Sequence, residues 1–490
     1  MDPLFIGLIA VFLLLVIIVL VRTLTFTSPR ATVEQLPGVE VDEVEIAKHL
    51  AEAIRIKTVS FNESTPPDKK VLEKFHKKLK KMFPLLHKNL SLQMINDFSL
   101  LYKWKGKDKN LKPVLFMAHQ DVVPVQESNL ADWQYPPFDG VIREGYIWGR
   151  GTMDIKCQLI AVMESVEHLL ESGYEPERSI YLAFGHDEEI GGPRGAKKVA
   201  AWLKEQGVQL EAVIDEGGML VTGMVPGVEN LVAMIGVAEK GYLTLNLSVE
   251  GAPGHSSTPP EHTAIGYMAK AITRLEAHPM PAHPQRFAPV FKAIGKDAPF
   301  VTRMAFANLW LFKGIAKRLI RKNPKTDAAI RTTTAATVIK GGVKDNILPK
   351  EVSAQVNFRL MPGDLIADVK KRCERVIADD KVKINIAKET SWEASSLSPD
   401  DVPAYTALEK TIRQFFGDIA IAPYLVLGAT DSRYYDTVCD NVYRFSPVAI
   451  TTEGFNMIHG TNERIAIKDM AKMVQFFIKL MQVWSKKEIQ

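Results

Sequence analysis

A chain of 490 residues with 46% hydrophobic and 24% charged residues is neither disordered nor a disulfide-stapled mini-protein. At roughly 100–200 residues per domain, it has room for two to four domains, each with its own core. Sixty-one lysines and arginines against 57 acids leave a net charge of +4, too weak for a nucleic-acid footprint. Its three cysteines, Cys157, Cys373 and Cys439, lie too far apart for a CxxC knuckle, so any metal here must be held by His, Asp and Glu.

Residues 4–21 carry no charge. As a helix they span about 27 Å, close to the ~30 Å hydrocarbon core of a bilayer. Asp2 stands where a signal peptide has basic residues, and no A-x-A-like cleavage site follows Val21. The expectation is an uncleaved single-pass anchor over residues 1–24. Arg22 and Arg30 follow it and weigh towards a cytoplasmic body, but two charges leave the side of the membrane open. Residues 25–42 read as a linker. Residues 68–83 place Leu72, Phe75, Leu79 and Met82 at helical spacing beside seven lysines, a surface helix with a solvated face.

Short apolar runs then alternate with amphipathic helices: 114–118, 155–171, 180–184, 193–206 and 212–214. This order implies an α/β domain with a largely parallel sheet, whose active site belongs at the carboxyl ends of the strands. From about 243 the pattern becomes strand, helix, strand, helix, strand (243–249, 262–277, 354–360, 365–378, 382–387), an α+β unit of βαββαβ, ferredoxin-like type. Residues 284–335 interrupt it with prolines, aromatics and a basic patch. The α/β signature resumes after Trp392 and ends in a helix at 467–484. The expected division is a catalytic domain in two parts, 43–242 and 393–490, with a lid and dimerisation domain inserted at 243–392.

Five polar segments follow these runs. In His119-Gln120-Asp121 an extended backbone puts His119 and Asp121 on one face, so Asp121 can orient the imidazole; read alone, the pair equally fits a structural histidine. Asp154 opens the helix at 155, which fits plain capping or a cation bridge. Asp187-Glu188-Glu189 ahead of Gly191-Gly192 crowds acids that repel unless a cation or solvent compensates. Asp215-Glu216-Gly217-Gly218 repeats that pattern, and His459 to Glu463 precedes the last helix. Together they direct acids and two histidines to one sheet edge, a donor set suited to Zn²⁺ or Mn²⁺. HExxH and GxSxG motifs are absent.

In this order the five segments resemble the zinc aminoacylase/carboxypeptidase family of metallopeptidases, which includes glutamate carboxypeptidase, acetylornithine deacetylase and carboxypeptidase S. The likeness runs from about Val44 to Leu480. It is strongest to the branch of carboxypeptidase S and the N-fatty-acyl-amino-acid synthase/hydrolases, through MAHQDVVP (117–124), GHDEE (185–189), IDEGG (214–218), GHSSTPP (254–260), IRTTTAAT (330–337) and TDSRYY (430–435). As a set, these motifs are far more specific than any one of them.

The resemblance implies two zinc ions, with Mn²⁺ or Co²⁺ as substitutes. One would be held by His119, Asp154 and Asp215, the other by Asp154, Glu189 and His459. It implies Asp121 as the partner of His119, Glu188 as general base and His255 as an oxyanion donor that reaches in from a neighbouring subunit of a homodimer. It further implies Arg359 and Asn346, with Asp431 and Arg433, as substrate contacts. Many relatives have Asp-Asp-Lys where this chain has Asp154-Ile155-Lys156, and some have Glu where Asp215 stands. The expected activity is hydrolysis of the amide bond of small N-acyl, including N-fatty-acyl, amino acids. Cleavage of short peptides with a free C-terminus is the alternative. A catalytically inactive, membrane-tethered binding protein of the same fold would have lost these side chains. Phe306, Leu309, Trp310, Leu311 and Phe312 are candidates to line an acyl groove or to pack a core.

Overall fold

The computed structural model describes residues 2–26, 33–35, 38–224, 228–295, 297–321 and 324–489. Residues 27–32 and 36–37 of the expected linker, Arg30 among them, lie outside the described residues.

The apolar run Val114–His119 is buried at every position, as a strand covered on both faces must be. It pairs in parallel with Ile180–Gly185 on one side and Ala212–Asp215 on the other. Val442–Arg444 extends the parallel core beyond Ala212–Asp215. Antiparallel strands Ser91–Ile95 and Ser99–Trp104 close one edge. Val232–Glu239, paired in parallel with Ala420–Val426, carries the sheet onward at the other. The register sets His119 beside Gly185, so the polar segments that follow these strands emerge at one edge.

Helices Lys156–Glu171 and Ile467–Trp484 pack together against this sheet. The second buries Phe476, Phe477 and Trp484 completely, each such side chain contributing roughly 1.5–3 kcal/mol or more.

Gly241–Glu250 turns the chain into a second sheet, in which strands Thr333–Gly341, Glu351–Leu360, Gly241–Glu250 and Val382–Ile386 lie in that spatial order. With helices Ala264–Ala277 and Ile366–Ile377 between them in sequence, this is the βαββαβ order expected. Leu243, Leu245, Leu247 and Val249 alternate inward against Val352, Val356 and Phe358, forming a core of their own. Strand Thr333–Gly341, which the pattern did not reveal, is an exposed edge carrying Val338 and Ile339.

The interrupting segment does not belong to the lid core. Val290, Phe291, Ile294, Phe306, Ile320 and Ile330 join the catalytic core. Phe306 stacks on Phe291, while Trp310 and Leu311 remain exposed.

The N-terminal helix Pro3–Thr25 has a mean hydropathy of 3.6 and is long and apolar enough to cross a membrane. Its last turns are seated on the interrupting segment. Asn308 Nδ2 donates to Val19 O (3.2 Å) and Thr23 Oγ1 (3.1 Å), and Arg22 Nε donates to Ala307 O (3.2 Å).

Candidate metal centre

His119 ends its strand, completely buried, with Nε2 3.2 Å from Asp154 Oδ1 and 3.1 Å from Glu216 Oε1. The other oxygen of Asp154, Oδ2, lies 2.8 Å from His459 Nε2, which is 3.3 Å from Glu189 Oε2. Two three-residue donor groups therefore share one carboxylate: His119, Asp154 and Glu216, and Asp154, Glu189 and His459. Glu188 belongs to neither, yet its Oε2 stands 3.9 Å from His119 Nε2.

The supporting contacts explain the spacing of the motifs. His119 Nδ1 lies 3.0 Å from the Asp121 carbonyl and 3.4 Å from its Oδ1. The Asp121 carboxylate also accepts the backbone N–H groups of Glu188 and Glu189, each at 3.1 Å. One buried acid thus ties the histidine to the Glu188–Glu189 turn. Glu463 does the same for Asp154: it accepts the N–H groups of Gly151, Met153 and Asp154 and is paired with Arg150 at 2.6 Å. Its side chain is fully buried. From the sequence alone Glu463 is assigned no role, although it closes the segment that begins at His459.

Two expectations change. Asp154 is not a helix cap, because the helix begins at Lys156 and Ile155 occupies the cap position without a side-chain bond; the Asp154 carboxylate is turned to the two histidines instead. Glu216, not Asp215, completes the first donor group. Asp215 is the last residue of its strand, and its Oδ2 accepts the Ser432 N–H at 2.9 Å. Glu216, one residue on, has left the strand and faces His119.

Burial pushes the carboxyls of Glu189 and Glu216 up, to about 7 and about 8, with the Asp154 charge adding to both. Burial likewise raises Glu188 well above the carboxylate range, though His119 works against it. Asp154 goes the other way: its hydrogen bonds to His119 and His459 overcome burial and hold it low. Hydrogen bonds to Asp154 and Glu189 raise His459 to about 10. Fully ionised, these four closely packed carboxyls outnumber the two imidazoles, and a divalent cation would balance such a set.

The remaining candidates divide. His255 and Asn346 lie together on the lid, where strands Gly254–His255 and Ile347–Leu348 pair; both are exposed. The His255 ring bonds Ser257 at 2.7 Å, and no hydrogen bond or ion pair among the described residues joins His255 or Asn346 to the donor groups. Arg359 lies 4.5 Å over the Tyr242 ring. Asp431 is buried beneath the site turn, where a Cβ at Gly185 or Gly192 would collide with it. Its neighbour Arg433 donates to the carbonyls of Gly191 and Thr430. Arg433 thus braces the turn that bears Glu188, while both carboxylate oxygens of Asp431 are buried against that turn without a hydrogen-bond partner among the described residues.

A profile of "Peptidase family M20/M25/M40" matches residues 115–483. The chain belongs to the M20 peptidase family. It is 39% identical over 478 residues to a probable carboxypeptidase S-like 2 of Dictyostelium discoideum, covering 96% of this chain and 92% of that one. To the N-fatty-acyl-amino acid synthase/hydrolase PM20D1 of Xenopus tropicalis it is also 39% identical, over 450 residues, 90% of this chain and 86% of that one. The fold matches the M20 metallo-carboxypeptidase Sso-CP2 of Sulfolobus solfataricus with a TM-score of 0.66 at 17% identity, covering 91% of this chain and 100% of that one.

This M20 protein is a metal-dependent hydrolase. Its two donor groups, all oxygen and nitrogen and joined by Asp154, fit a dinuclear zinc centre by the chemistry of their ligand atoms.

Proposed function

We propose that this M20 hydrolase is a membrane-anchored enzyme that cleaves the amide bond of N-acyl, including N-fatty-acyl, amino acids. The observation that carries this reading is the paired donor set on a chain 39% identical, over 90% of its length, to an N-fatty-acyl-amino acid synthase/hydrolase. A second reading, carboxypeptidase action on short peptides, is favoured by the equal identity to a carboxypeptidase S-like relative.

His119, Asp154 and Glu216 would hold one ion, and Asp154, Glu189 and His459 the other. Bound there, a metal pair supplies a water of lowered pKa and polarises the amide carbonyl. Glu188 takes the proton from the attacking water and returns it to the leaving amine. Its position outside both donor groups, with Oε2 3.9 Å from His119 Nε2, supports that role. Asp121 keeps His119 and Glu188 in register through the bonds described above.

Arg359 has no carboxylate partner among the described residues, and its planar fork suits the free carboxylate of an amino acid product. His255 and Asn346, exposed on the lid, would meet substrate only from a second copy. The unpaired edge Thr333–Gly341, with its apolar Val338 and Ile339, offers a surface for such a lid-to-lid dimer.

The experiment is turnover of the purified full chain on N-acetyl, N-octanoyl and N-palmitoyl amino acids beside matched dipeptides. Preferred cleavage of the acyl series supports the first reading. Cleavage of dipeptides alone selects the second.

A further inference from the structure

Two adjoining cavities lie between the end of the N-terminal helix and the flank of the metal centre. The outer, ≈ 580 Å³, has apolar walls from Phe26, Ala288 and Ile421 and charged ones from Lys292, Glu409 and Arg413. The inner, ≈ 950 Å³, is walled by Val237, Val290, Ala329, Met361, Leu397 and Tyr424. Pro289, Asp400 and Pro423 line both, so the two spaces are neighbours across these three side chains. The inner space ends at Tyr424, whose hydroxyl donates to the carbonyl of Gly217, the residue after Glu216. The outer space ends at Phe26, the residue that closes the apolar helix Pro3–Thr25.

The surroundings of the outer mouth are those of a membrane surface. From 288 to 321 the sequence has seven lysines and arginines against one acid, Asp297. Phe300, Val301, Trp310, Leu311 and Ile315 are exposed on the helices beside the N-terminal one. Apolar side chains, an exposed Trp and clustered bases next to a helix long enough to span a bilayer are the features of an interfacial surface. A side-chain pocket for a dipeptide needs none of this. The inner volume is at the upper end of the ~300–1,000 Å³ found for small-molecule sites.

We propose that the two cavities open into one another and form an acyl-chain site. The amino acid head of the substrate occupies the metal centre, and its long saturated or unsaturated chain runs past Tyr424, Val290 and Pro289 towards Phe26 and the bilayer. This rests on the function proposed above and adds the place of the chain and the side from which it arrives. The aromatic residues 306–312 serve packing and membrane contact, and the chain is lined instead by Pro289 and Val290 of helix Ala288–Ala293 and by the 394–400 linker.

The test uses the full chain in nanodiscs containing anionic lipid, with an N-acyl amino acid bearing a diazirine at the end of a 16-carbon chain. Photolysis is expected to label residues 26 or 288–293. Ala329→Trp and Ala394→Trp, each of which fills the inner space, should each abolish that labelling. Each should also lower the ratio of kcat/KM for N-palmitoyl over N-acetyl substrate tenfold or more. Labelling confined to other segments, or an unchanged ratio in both variants, overturns the acyl-chain site. A wild-type enzyme that cleaves dipeptides but no N-acyl amino acid overturns the proposed function separately, and the labelling pattern then decides the cavity by itself.

Discussion

The guanidinium of Arg433 lies 4.5 Å over the ring of Trp392. Trp392 in turn stacks on Tyr242, with centroids 4.9 Å apart and planes at 19°, and Arg359 lies over Tyr242. The column runs from lid strand Glu351–Leu360 to the Asp431–Thr437 turn, and Arg433 passes it on to the Gly191 carbonyl beside Glu188. Tyr242 and Trp392 stand where the chain enters and leaves the lid, joined by backbone hydrogen bonds of 2.9 and 2.8 Å.

Each cation–π contact contributes about 0.5–2 kcal/mol. Trp392→Ala is therefore expected to lower kcat about tenfold, the equivalent of ~1.4 kcal/mol, by loosening the Glu188 turn against the lid. Trp392→Phe should restore most of it. Steady-state kinetics with both variants check this; a stability loss without a change in kcat would assign the column to folding alone.

Glu188→Gln removes the proton acceptor while keeping the shape of the side chain. Turnover should fall about 10²–10⁴-fold, with metal content unchanged. Metal analysis beside a single-turnover assay separates loss of chemistry from loss of the centre.

Glu216 and Asp215 are adjacent, but only Glu216 faces His119. Glu216→Gln should reduce bound zinc from two ions per chain to one. Asp215→Asn retains an acceptor for the Ser432 N–H and should keep both. Zinc content after gel filtration into metal-free buffer decides between them.

His49 offers a test of the fold away from the site. Its ring lies 2.6 Å from Glu164 and 3.3 Å from Glu45. Burial opposes its charge, but these carboxylates prevail and raise its pKa above 6.5. A base raised in the folded state binds its proton more tightly there. Its contribution is present in full below the unfolded value and fades as pH climbs through the folded one. Glu164→Gln should therefore cost about 1 kcal/mol, the scale of a partly exposed pair, at pH 6 and little at pH 9. Chemical denaturation at the two pH values measures it.

Much of the catalytic half was legible because its signals are local. Buried runs such as Val114–His119 end in polar segments, and a parallel sheet delivers those segments to one edge. The donor set in the structure differs by one residue, Glu216 for Asp215, because successive residues at a strand end face opposite ways, and the dipeptide Asp215-Glu216 offers a carboxylate in either direction. Glu463 was overlooked since its work is to bind three N–H groups 309–312 positions away, which no local pattern encodes. The segment after Pro284 reads as part of the lid in sequence. Its apolar residues are spent on the catalytic core and on the helix Pro3–Thr25, and both partners are distant along the chain.

The central claim is that one carboxylate, Asp154, joins two metal sites. Anomalous X-ray scattering at the zinc edge from crystals of the zinc-loaded full chain measures this directly. The account predicts two peaks flanking the Asp154 carboxylate, one near His119 and Glu216 and one near Glu189 and His459. A single peak remote from Asp154, or none in crystals of fully active enzyme, would contradict it.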